Sequence, residues 1–582
     1  MKINKDLNKV ASILLAKSIK DLYPNAILAD VEVGDQMANE SGFSCSFSCP
    51  ERVSINDLPK IMKQMKKNID SNFLIKYVAV SQNEALNIFK NNKYKSELIN
   101  DGKQNKVDLI YFGDQYVDLC EKNSIAKLSA IKAYELNNVG GVYWKHSAKN
   151  EQLQSIGGVA FDQLAELAAY RDELKDRQER DHRYINKNLE LFDFDLLAGQ
   201  GLPFYLPKGA SVKYEIDDYI HKLLVRNGYA YVQTPVLGSK ELYETSGHWF
   251  HYRENMFPAF QIDEVVQVLR PMTCPHHLVV YKMKPRSYRE LPFRVFEDAI
   301  LHRYESSGSL TGLERVRQMR LIDCHMVCSE EQIKDVVSQH YAIIKEAAAT
   351  FGITEYHSID LSLHDKNNKE KFFDGEEMWQ RAENGLRKVL KEMNVKYHEA
   401  VGEAAFYGPK IDIQIKTALG HIITAFTIQL DFLLPDKFKL EYKDKGGAIK
   451  RPVLIHASVI GTIERFMSIL LEQNKGVFPL WIAPVHVAII PVDIERHGKF
   501  CQTLKNKLLN ELIRVEYYDN NNRLSQNIRD AQISKIPYQL VIGDQEIKSK
   551  KLSYRKYGQK QTKQTSLSEF IKLLQKQIAK RK

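Results

Sequence analysis

Cysteine is scarce in this chain, and long apolar stretches are absent. Its 582 residues contain seven scattered cysteines, which form no disulfide framework. The N-terminus, MKINKDLNKV, has no apolar signal segment, and no stretch approaches the roughly 18 uncharged apolar residues of a membrane span. These absences argue against a disulfide-stapled secreted domain and against a membrane protein. We expect a cytoplasmic protein with reduced thiols and no membrane partner.

The positive charge is concentrated at one end of the chain. Length and a 44% hydrophobic content leave room for about three or four domains with cores of their own. Of the net charge of +10, residues 484–582 contribute 20 Lys and Arg against 9 Asp and Glu, so the rest is close to neutral. A basic end module predicts a polyanionic partner, most simply a nucleic acid. The alternative is a Lys-rich surface that serves solubility alone.

Four segments follow one another along the chain. Residues 1–155 mix helical spacing in NDLPKIMKQMKKNI with strand patterns in GFSCSFSC and KVDLIYFG, which predicts a small α+β domain. Residues 156–190 have the pattern of an exposed, densely charged connecting helix. A long body, 191–482, is rich in aromatic and β-branched segments between turns. Residues 483–582 alternate strands such as VHVAIIPV with helices, as in a βαβ-type domain.

The last helix is the most clearly specified element. Ser566 and Glu569 stand at the spacing of a capping box, which predicts that a helix begins after Ser566. Helical spacing then places five apolar residues on one stripe: Leu567, Phe570, Ile571, Leu574 and Ile578. We expect this stripe to pack against the C-terminal sheet.

Arginines cluster beside a turn in the long body. The stretch FRVFEDAILHRYESSGSLTGLERVRQMRLIDCH reads as strand, loop and strand, and its arginines are Arg294, Arg303, Arg315, Arg317 and Arg320. Guanidinium forks suit phosphate oxygens, so a Gly- and Ser-rich loop here could close over a polyphosphate. The alternative is a set of solvated surface arginines, and composition alone leaves both open.

The motifs FRVFE, HRYESSGSLTGLERVR and GTIERF resemble motifs two and three of the class II aminoacyl-tRNA synthetases. Among these the chain is most similar to the threonyl-tRNA synthetase family, through ETSGHW, PMTCPHH, AAFYGPKIDI, TIQLDF and RPVLIH, from about residue 155 to the end. The resemblance implies an α+β multidomain fold: an antiparallel sheet core flanked by helices, a C-terminal α/β anticodon-binding domain, and an N-terminal α+β editing-like domain. It also implies a threonine–tRNA ligase with ATP, threonine and tRNA(Thr) as partners.

The resemblance implies a zinc site. In that family a cysteine and two histidines hold one Zn²⁺ per subunit, and they match Cys274, His325 and His456. Taken singly, each would more commonly be a buried structural residue. Three protein ligands leave positions open for the amino and hydroxyl groups of threonine. A site built around that hydroxyl rejects valine by roughly 10⁴ or more, and Asp323 and Tyr407 match the residues that bind threonine.

The resemblance also implies how ATP is held. Arg303 would contact the α-phosphate and the substrate carboxylate, and Arg315 and Arg465 the terminal phosphates. Glu305 would read the adenine, and Gln429 belongs to the same ATP set, with Mg²⁺ completing the clamp. The catalytic residues by this resemblance are Arg303, Arg465 and Asp323. Catalysis would then consist of positioning and electrostatics, without a covalent nucleophile.

Some positions depart from the family pattern. Met319 stands where several members carry an aromatic residue, and Leu321 where several carry glutamine. Ala457 replaces a common arginine and Ala404 a common glycine, which leaves the effect on local tRNA or substrate contacts open.

The resemblance assigns the basic C-terminal module to the anticodon. Glu546 and Arg555 match residues that read anticodon bases, although either alone would more commonly be an ordinary surface charge. The family's homodimeric state is carried over on resemblance alone. Two rival functions remain at this point: a catalytically inactive synthetase-like RNA-binding regulator, and a sibling synthetase for proline, serine or glycine.

The first segment lacks the groups that family members use to hydrolyse seryl-tRNA. They use an HxxxH pair and a CxxxH pair, but no histidine precedes His146 here. In DLCEKNS, Cys120 keeps the cysteine position and Ser124 replaces the histidine. Cys45 and Cys49 on an alternating strand read as packing residues. We therefore predict that editing of seryl-tRNA(Thr) is lost, unless Cys120 supports it.

Overall fold

The computed structural model describes residues 4–34, 42–71, 73–102, 105–147, 149–353, 356–417, 419–520 and 522–581. The chain divides into two compact units, Met1–Gln178 and Glu179–Lys582. No helix of the described residues is long and apolar enough to cross a membrane.

The first unit is an α+β domain built on two antiparallel sheets. Its helices are α1 (Lys5–Leu22), α2 (Leu58–Asp70), α3 (Gln82–Ile88), α4 (Lys93–Asp101) and α5 (Leu164–Arg180), the last of which ends just past the division between the units. Its strands are β1 (Ile27–Val33), β2 (Phe43–Ser48), β3 (Ile75–Ser81), β4 (Lys106–Phe112), β5 (Tyr116–Leu119), β6 (Ala133–Tyr143) and β7 (Gln152–Phe161). The sheets have the orders β1-β2-β7-β6 and β3-β4-β5. The alternating pattern of GFSCSFSC forms β2, whose residues are alternately buried and half-buried, as predicted.

The expected boundary near residue 155 falls inside a strand. β7 pairs with both β2 and β6, so it belongs wholly to the first sheet. Leu167 and Tyr170 of α5 then pack against Ala133, Val159 and Phe161 of that sheet. Because the first turns of the connecting helix bury apolar residues, the first unit extends to residue 178.

The second unit contains the large sheet and the C-terminal domain. Its helices are α6 (His182–Leu189), α7 (Pro207–Arg226), α8 (Lys240–Thr245), α9 (His248–His251), α10 (Cys274–Lys282), α11 (Ile333–Thr350), α12 (Glu376–Glu392), α13 (Leu433–Lys437), α14 (Ile463–Gln473), α15 (Ile494–Asn510), α16 (Leu524–Ile533), α17 (Asp544–Ser549) and α18 (Leu567–Ala579). The strands up to residue 462 are β8 (Phe192–Asp193), β9 (Phe204–Tyr205), β10 (Ala230–Tyr231), β11 (Leu237–Ser239), β12 (Phe260–Ile262), β13 (Val265–Leu269), β14 (Phe293–His302), β15 (Gln318–Cys328), β16 (Ser358–Leu363), β17 (His398–Val401), β18 (Lys410–Lys416), β19 (Ile422–Asp431), β20 (Tyr442–Lys443), β21 (Ile449–Lys450) and β22 (Val453–Thr462).

An eight-stranded sheet forms the expected core, in the order β10-β14-β15-β22-β19-β18-β16-β17. Its six central strands pair antiparallel, and only the two outermost pairings are parallel. One face packs on α11 and α14 through the largest apolar cluster, which includes Cys324 and Met326. Because side chains alternate along a strand, His325 and Asp323 lie on the opposite face. That face carries the candidate site.

The C-terminal domain has the predicted βαβ character. Its strands are β23 (Val487–Pro491), β24 (Val515–Tyr517), β25 (Tyr538–Ile542), β26 (Leu552–Lys556) and β27 (Thr562–Thr565), in the order β24-β23-β25-β26-β27. β23 pairs in parallel with β24 and β25. Ser566 caps α18 with Glu569 in a capping box, and Phe570 and Leu574 are buried. The prediction for the last helix is therefore confirmed.

Candidate active site

Three buried side chains meet on the face of the large sheet that lies opposite the apolar core. The ligand atoms of Cys274, His325 and His456 all lie within 4.8 Å of one another. His325 and His456 are directly paired residues of β15 and β22, so the sheet register brings together positions far apart in sequence. Cys274 is the first residue of α10. The three residues expected to bind zinc thus form one cluster.

A chain of hydrogen bonds runs through this cluster between two buried carboxylates. Glu297 lies 3.1 Å from Nε2 of His277, whose Nδ1 lies 2.8 Å from Nδ1 of His325. Nε2 of His325 then lies 2.9 Å from Nδ1 of His456. Nε2 of His456 lies 2.9 Å from Asp431 at the end of β19. All these side chains are buried.

The number of protons in this chain indicates a place for a cation. Three neutral imidazoles carry three N–H groups, whereas the four links need four protons. When the end histidines donate to Glu297 and Asp431 and His325 donates to His277, the link between His325 and His456 has no proton. Burial and the neighbouring histidines hold the pKa of His325 well below its usual value, which disfavours a second proton on that ring. His325 and His456 would therefore hold a cation in place of the missing proton.

Cys274 completes a donor set suited to zinc. Burial, with Asp323 and Asp431 nearby, raises the pKa of its thiol well above the usual range. A bound dication would supply the positive charge that ionises such a thiol. One thiolate and two imidazoles form a common zinc ligand set and leave at least one coordination position open. The residues present therefore fit a catalytic type of zinc site.

A cavity of about 360 Å³ opens beside the cluster. Its lining includes Arg303, Asp323, Tyr407, Gln429 and Arg465, besides Cys274 and His456. Neighbouring positions in the sheet register account for this grouping, because Asp323 and His325 are two residues apart on β15 and Gln429 pairs with His456. Five further residues expected from the sequence thus line the same cavity as two of the expected metal ligands.

Arg303 and Arg465 place two cationic groups in the cavity wall. Nε of Arg303 donates to the carbonyl of Pro271 at 3.3 Å. Arg465 lies in the first turn of α14, which is capped by Thr462, and its Nε donates to the carbonyl of Glu314 at 3.2 Å. Burial and the charge of Arg303 lower the pKa of Arg465. Two guanidinium groups that repel each other in a cavity can bind an anionic ligand.

Glu305 and Arg315 lie on the loop between β14 and β15. Nε of Arg315 is 3.9 Å from Glu305, and the Arg315 side chain is half exposed. Neither residue lines the 360 Å³ cavity. Arg317 donates to the carbonyl of Glu305 at 2.9 Å, which ties the two sides of the loop together.

Asp323 and Tyr407 are buried beside the group of Cys274, His325 and His456. The hydroxyl of Thr273, next to Cys274, donates to Asp323, and burial raises the pKa of the Asp323 carboxyl. The Tyr407 ring centroid lies 5.1 Å from that of His456. Tyr407 can lie close to β19 because the next residue is Gly408. A Cβ at Gly408 would be 2.1 Å from the carbonyl oxygen of Leu430.

The departures from the family pattern lie at different distances from the site. Ala457 and Leu321 line the 360 Å³ cavity. Ala404 is buried with Phe372 and Trp379. Met319 lines a separate cavity of about 750 Å³ on the side of α7.

The expected anticodon residues lie in the C-terminal domain. Glu546 accepts hydrogen bonds from the amide of Gly543 and the hydroxyl of Ser553, at 2.9 and 2.7 Å. Arg555 donates to Gln539 at 2.7 Å, on the adjacent strand. These intramolecular contacts hold both side chains in place.

The first unit has a cleft of about 610 Å³ that includes Cys120. Among the described residues that line it, none is a histidine. Burial raises the pKa of the Cys120 thiol to about 11, so the thiol is protonated near neutral pH. Ser124 donates to Asp6 at 2.6 Å. Cys45 is fully buried in the core of this unit, in agreement with a packing role.

Comparisons with known proteins assign the chain to a family. A model for the class II core domain of tRNA synthetases (G, H, P, S and T) matches residues 260–474, and one for an anticodon binding domain matches residues 486–577. The threonine–tRNA ligase of Ureaplasma parvum serovar 3 is 47% identical over 585 residues, with 100% of both chains covered. This chain belongs to the threonine–tRNA ligase family. The family membership confirms the resemblance and the class, an aminoacyl-tRNA ligase with a class II core.

Further members and solved structures agree with this family. The threonine–tRNA ligase of Staphylococcus carnosus is 44% identical over 559 residues, which cover 96% of this chain and 86% of that protein. A crystal structure of the RNA binding domain of threonyl-tRNA synthetase from Cryptosporidium parvum Iowa II aligns with a TM-score of 0.64 at 34% identity. It covers 68% of this chain and 98% of that chain.

Three residues of the site were not predicted from the sequence of this family member. His277, Glu297 and Asp431 hold the outer nitrogens of the histidine chain. The sequence signals were the second histidine of CPHH, three residues after Cys274, and the motifs FRVFE and TIQLDF, which contain Glu297 and Asp431 but gave them no role. The two carboxylates belong to other strands, and only the sheet register brings them near.

Proposed function

We propose that this chain is a threonine–tRNA ligase, which forms threonyl-adenylate from threonine and ATP and transfers threonine to the 3′ end of tRNA(Thr). One observation carries the proposal: a cysteine and two histidines converge beside a cavity whose wall also holds Arg303 and Arg465. A set of metal ligands next to two arginines suits an amino acid substrate whose carboxylate reacts with ATP.

In this proposal the arginines act on the charge that develops during adenylation. The threonine carboxylate attacks the α-phosphorus, and pyrophosphate leaves. Arg303 holds the carboxylate and the α-phosphate, and Arg465 and Arg315 hold the terminal phosphates. Glu305 receives the adenine, Gln429 contacts the nucleotide, and Mg²⁺ accompanies ATP. Because both cavity arginines are held by backbone carbonyls, they need little rearrangement when the anion binds.

The metal in this proposal is one Zn²⁺ per chain, bound by Cys274, His325 and His456. When bound, it supplies open coordination positions for the amino and hydroxyl groups of threonine. Asp323 accepts a hydrogen bond from the substrate hydroxyl, and Tyr407 forms the cavity wall beside His456. Valine lacks the hydroxyl, so it would add no hydrogen bond to the one that Asp323 accepts from Thr273, which costs affinity relative to threonine.

The C-terminal domain, residues 483–582, is the proposed anticodon-binding domain. Its surplus of basic residues supports RNA binding, and we assign base contacts to Glu546 and Arg555. Residues 191–482 are the proposed catalytic domain. Of the connecting segment expected at 156–190, the residues up to 178 belong to the first unit.

The proposed assembly is a cytoplasmic homodimer. The 750 Å³ cavity beside α7 supports a partner surface, because Tyr214 and Tyr231 on its rim are exposed aromatic residues. Sedimentation of the purified protein would show a mass of twice 67.2 kDa if the proposal holds.

Aminoacylation tests the proposed function against its rivals. Purified protein with ATP, Mg²⁺, labelled threonine and a tRNA(Thr) transcript should charge the tRNA. A catalytically inactive RNA-binding regulator would bind the transcript without charging it. A sibling synthetase would charge its own tRNA with proline, serine or glycine instead, so these three pairs serve as parallel controls.

A further inference from the structure

A buried histidine outside the candidate site contacts both the loop that carries Arg315 and helix α14, which carries Arg465. His182 is the first residue of α6 and is fully buried. Its Nδ1 lies 2.7 Å from Glu472 of α14, and its Nε2 accepts the backbone N–H of Leu313 at 3.1 Å. Because Nε2 accepts, the proton of a neutral ring is on Nδ1 and is donated to Glu472. One imidazole thus makes both contacts at once.

Leu313 belongs to a turn in the loop that carries Arg315. The amide of Thr311 donates to the carbonyl of Arg315, and that of Glu314 to the carbonyl of Thr311. Gly312 lies directly against the imidazole with a φ of +45°, and a Cβ there would be 2.2 Å from Nε2 of His182. The turn therefore packs on the histidine so closely that only glycine fits.

The same turn is held from its other side by α14. Nε of Arg465 donates to the carbonyl of Glu314, and the Glu314 carboxylate lies 3.1 Å from Nδ1 of His421. Arg465 and Glu472 are seven residues apart, close to two helical turns, so they lie on one side of α14. His182 links the C-terminal end of this helix to the turn, and Arg465 links its first turn to the same place.

We propose that His182 is a positioning residue for the ATP-binding loop, a role that rests on the proposed function. By bridging Glu472 and the Leu313 amide, it holds the turn from Thr311 to Arg315 against α14. Arg315 is thereby set before ATP arrives, and less ordering accompanies binding. His182 lines none of the cavity around Arg303 and Arg465, so it acts through the loop and α14 and not by direct contact with ATP.

Two substitutions of His182 separate its two contacts. In His182→Gln the amide reaches the place of Nε2, where its oxygen can accept the Leu313 N–H. In His182→Asn the shorter amide can still donate to Glu472 from the place of Nδ1 but does not reach Leu313. Two readouts are compared with the wild-type protein: hydrogen exchange of the Leu313 amide, and KM for ATP and for threonine in ATP–pyrophosphate exchange.

We expect His182→Asn to speed exchange of the Leu313 amide and to raise KM for ATP roughly tenfold, the effect of one lost hydrogen bond. KM for threonine should not change. His182→Gln keeps the contact to Leu313 but loses the one to Glu472. It should therefore leave exchange of the Leu313 amide near the wild-type rate and still raise KM for ATP, because the turn is no longer tied to α14. If His182→Asn does not fold, Gly312→Ala provides the test instead. Its added Cβ pushes the turn away from His182, so it should have the effect expected of the Asn variant.

The inference is overturned if His182→Asn and Gly312→Ala leave KM for ATP at the wild-type value, or if KM rises equally for both substrates. It also fails if the Gln variant keeps the wild-type KM for ATP, because the Leu313 contact alone would then be enough. Failure of the proposed function looks different, because wild-type protein would then show no threonine-dependent exchange at all. In that case the Leu313 amide and calorimetric binding of an ATP analogue decide the inference alone.

Discussion

Neighbouring residues of β15 differ completely in role because they face opposite sides of the sheet. Cys324 packs in the apolar core, whereas His325 joins Cys274 and His456 in the group that could hold a metal ion. Cys274→Ser should therefore lose bound zinc and threonine activation, while Cys324→Ser, the matched control, keeps both. Metal analysis of the purified variants checks this. Zinc at one ion per chain in Cys274→Ser would contradict it.

We expect that the fold does not depend on the metal site for its stability. It lies on the cavity side of the sheet, and the core on the other face is apolar and continuous. We expect the thermal midpoint of Cys274→Ser to stay near that of the control, in contrast to domains that fold only with zinc.

Glu464 should make the stability of the second unit depend on pH. Burial raises the pKa of its carboxyl to about 7, above the ordinary value of 4.5. The folded protein therefore keeps a proton that the unfolded chain releases, and stability falls as pH rises from about 4.5 through 7, by about 3 kcal/mol in total. Thermal midpoints of wild type and Glu464→Gln between pH 5 and 8 test this. Parallel curves would contradict it.

At the scale of elements, local periodicity predicted strands and helices well. The alternation in β2 and the stripe and capping box of α18 are encoded within a few residues, and both are confirmed. Sheet order is not local. Nothing in the spacing of His325 and His456 shows that β15 and β22 are neighbours, and only the family resemblance brought the two residues together. The boundary near residue 155 shifted because β7 is paired on both sides.

The strands also position the carboxylates at the two ends of the histidine chain, which orient the expected metal ligands. Glu297 of β14 is fixed by Arg270 at 2.8 Å and accepts from Thr234 at 2.6 Å, and it orients His277 and so His325. Glu297→Gln should weaken zinc binding about tenfold, the lower end of the range for a direct partner of a metal-bound histidine, because Glu297 acts on His325 through His277. Competition with a chelator of known affinity measures this, and unchanged zinc affinity would contradict it. Glu383→Gln, which removes a carboxylate from another buried histidine, His364, is the matched control.

At the scale of the whole molecule, accuracy depends on whether the first unit can hydrolyse seryl-tRNA(Thr). Serine has a hydroxyl and an amino group, so a metal site cannot exclude it, and discrimination rests on the methyl group of threonine. That group is worth about 1–3 kcal/mol, or roughly 10- to 200-fold. In the first unit the described lining of the Cys120 cleft has no histidine, and the Cys120 thiol stays protonated at neutral pH because its pKa is about 11.

We therefore expect the protein to form seryl-tRNA(Thr) and not to clear it. Preformed seryl-tRNA(Thr) incubated with the protein should hydrolyse at the spontaneous rate seen in buffer. Faster hydrolysis that disappears in Cys120→Ser would show that this cysteine still supports editing. In the absence of editing, the first unit would serve tRNA docking or stability.

We expect a metal-dependent site to select threonine for activation by ATP. ATP–pyrophosphate exchange with threonine, serine and valine in parallel, on protein of known zinc content, tests it most directly. We predict strong exchange with threonine, weaker exchange with serine, valine lower than threonine by roughly 10⁴ or more, and loss of all exchange after zinc is removed. Exchange with valine close to that with threonine, or full threonine exchange in zinc-free protein, would contradict the account.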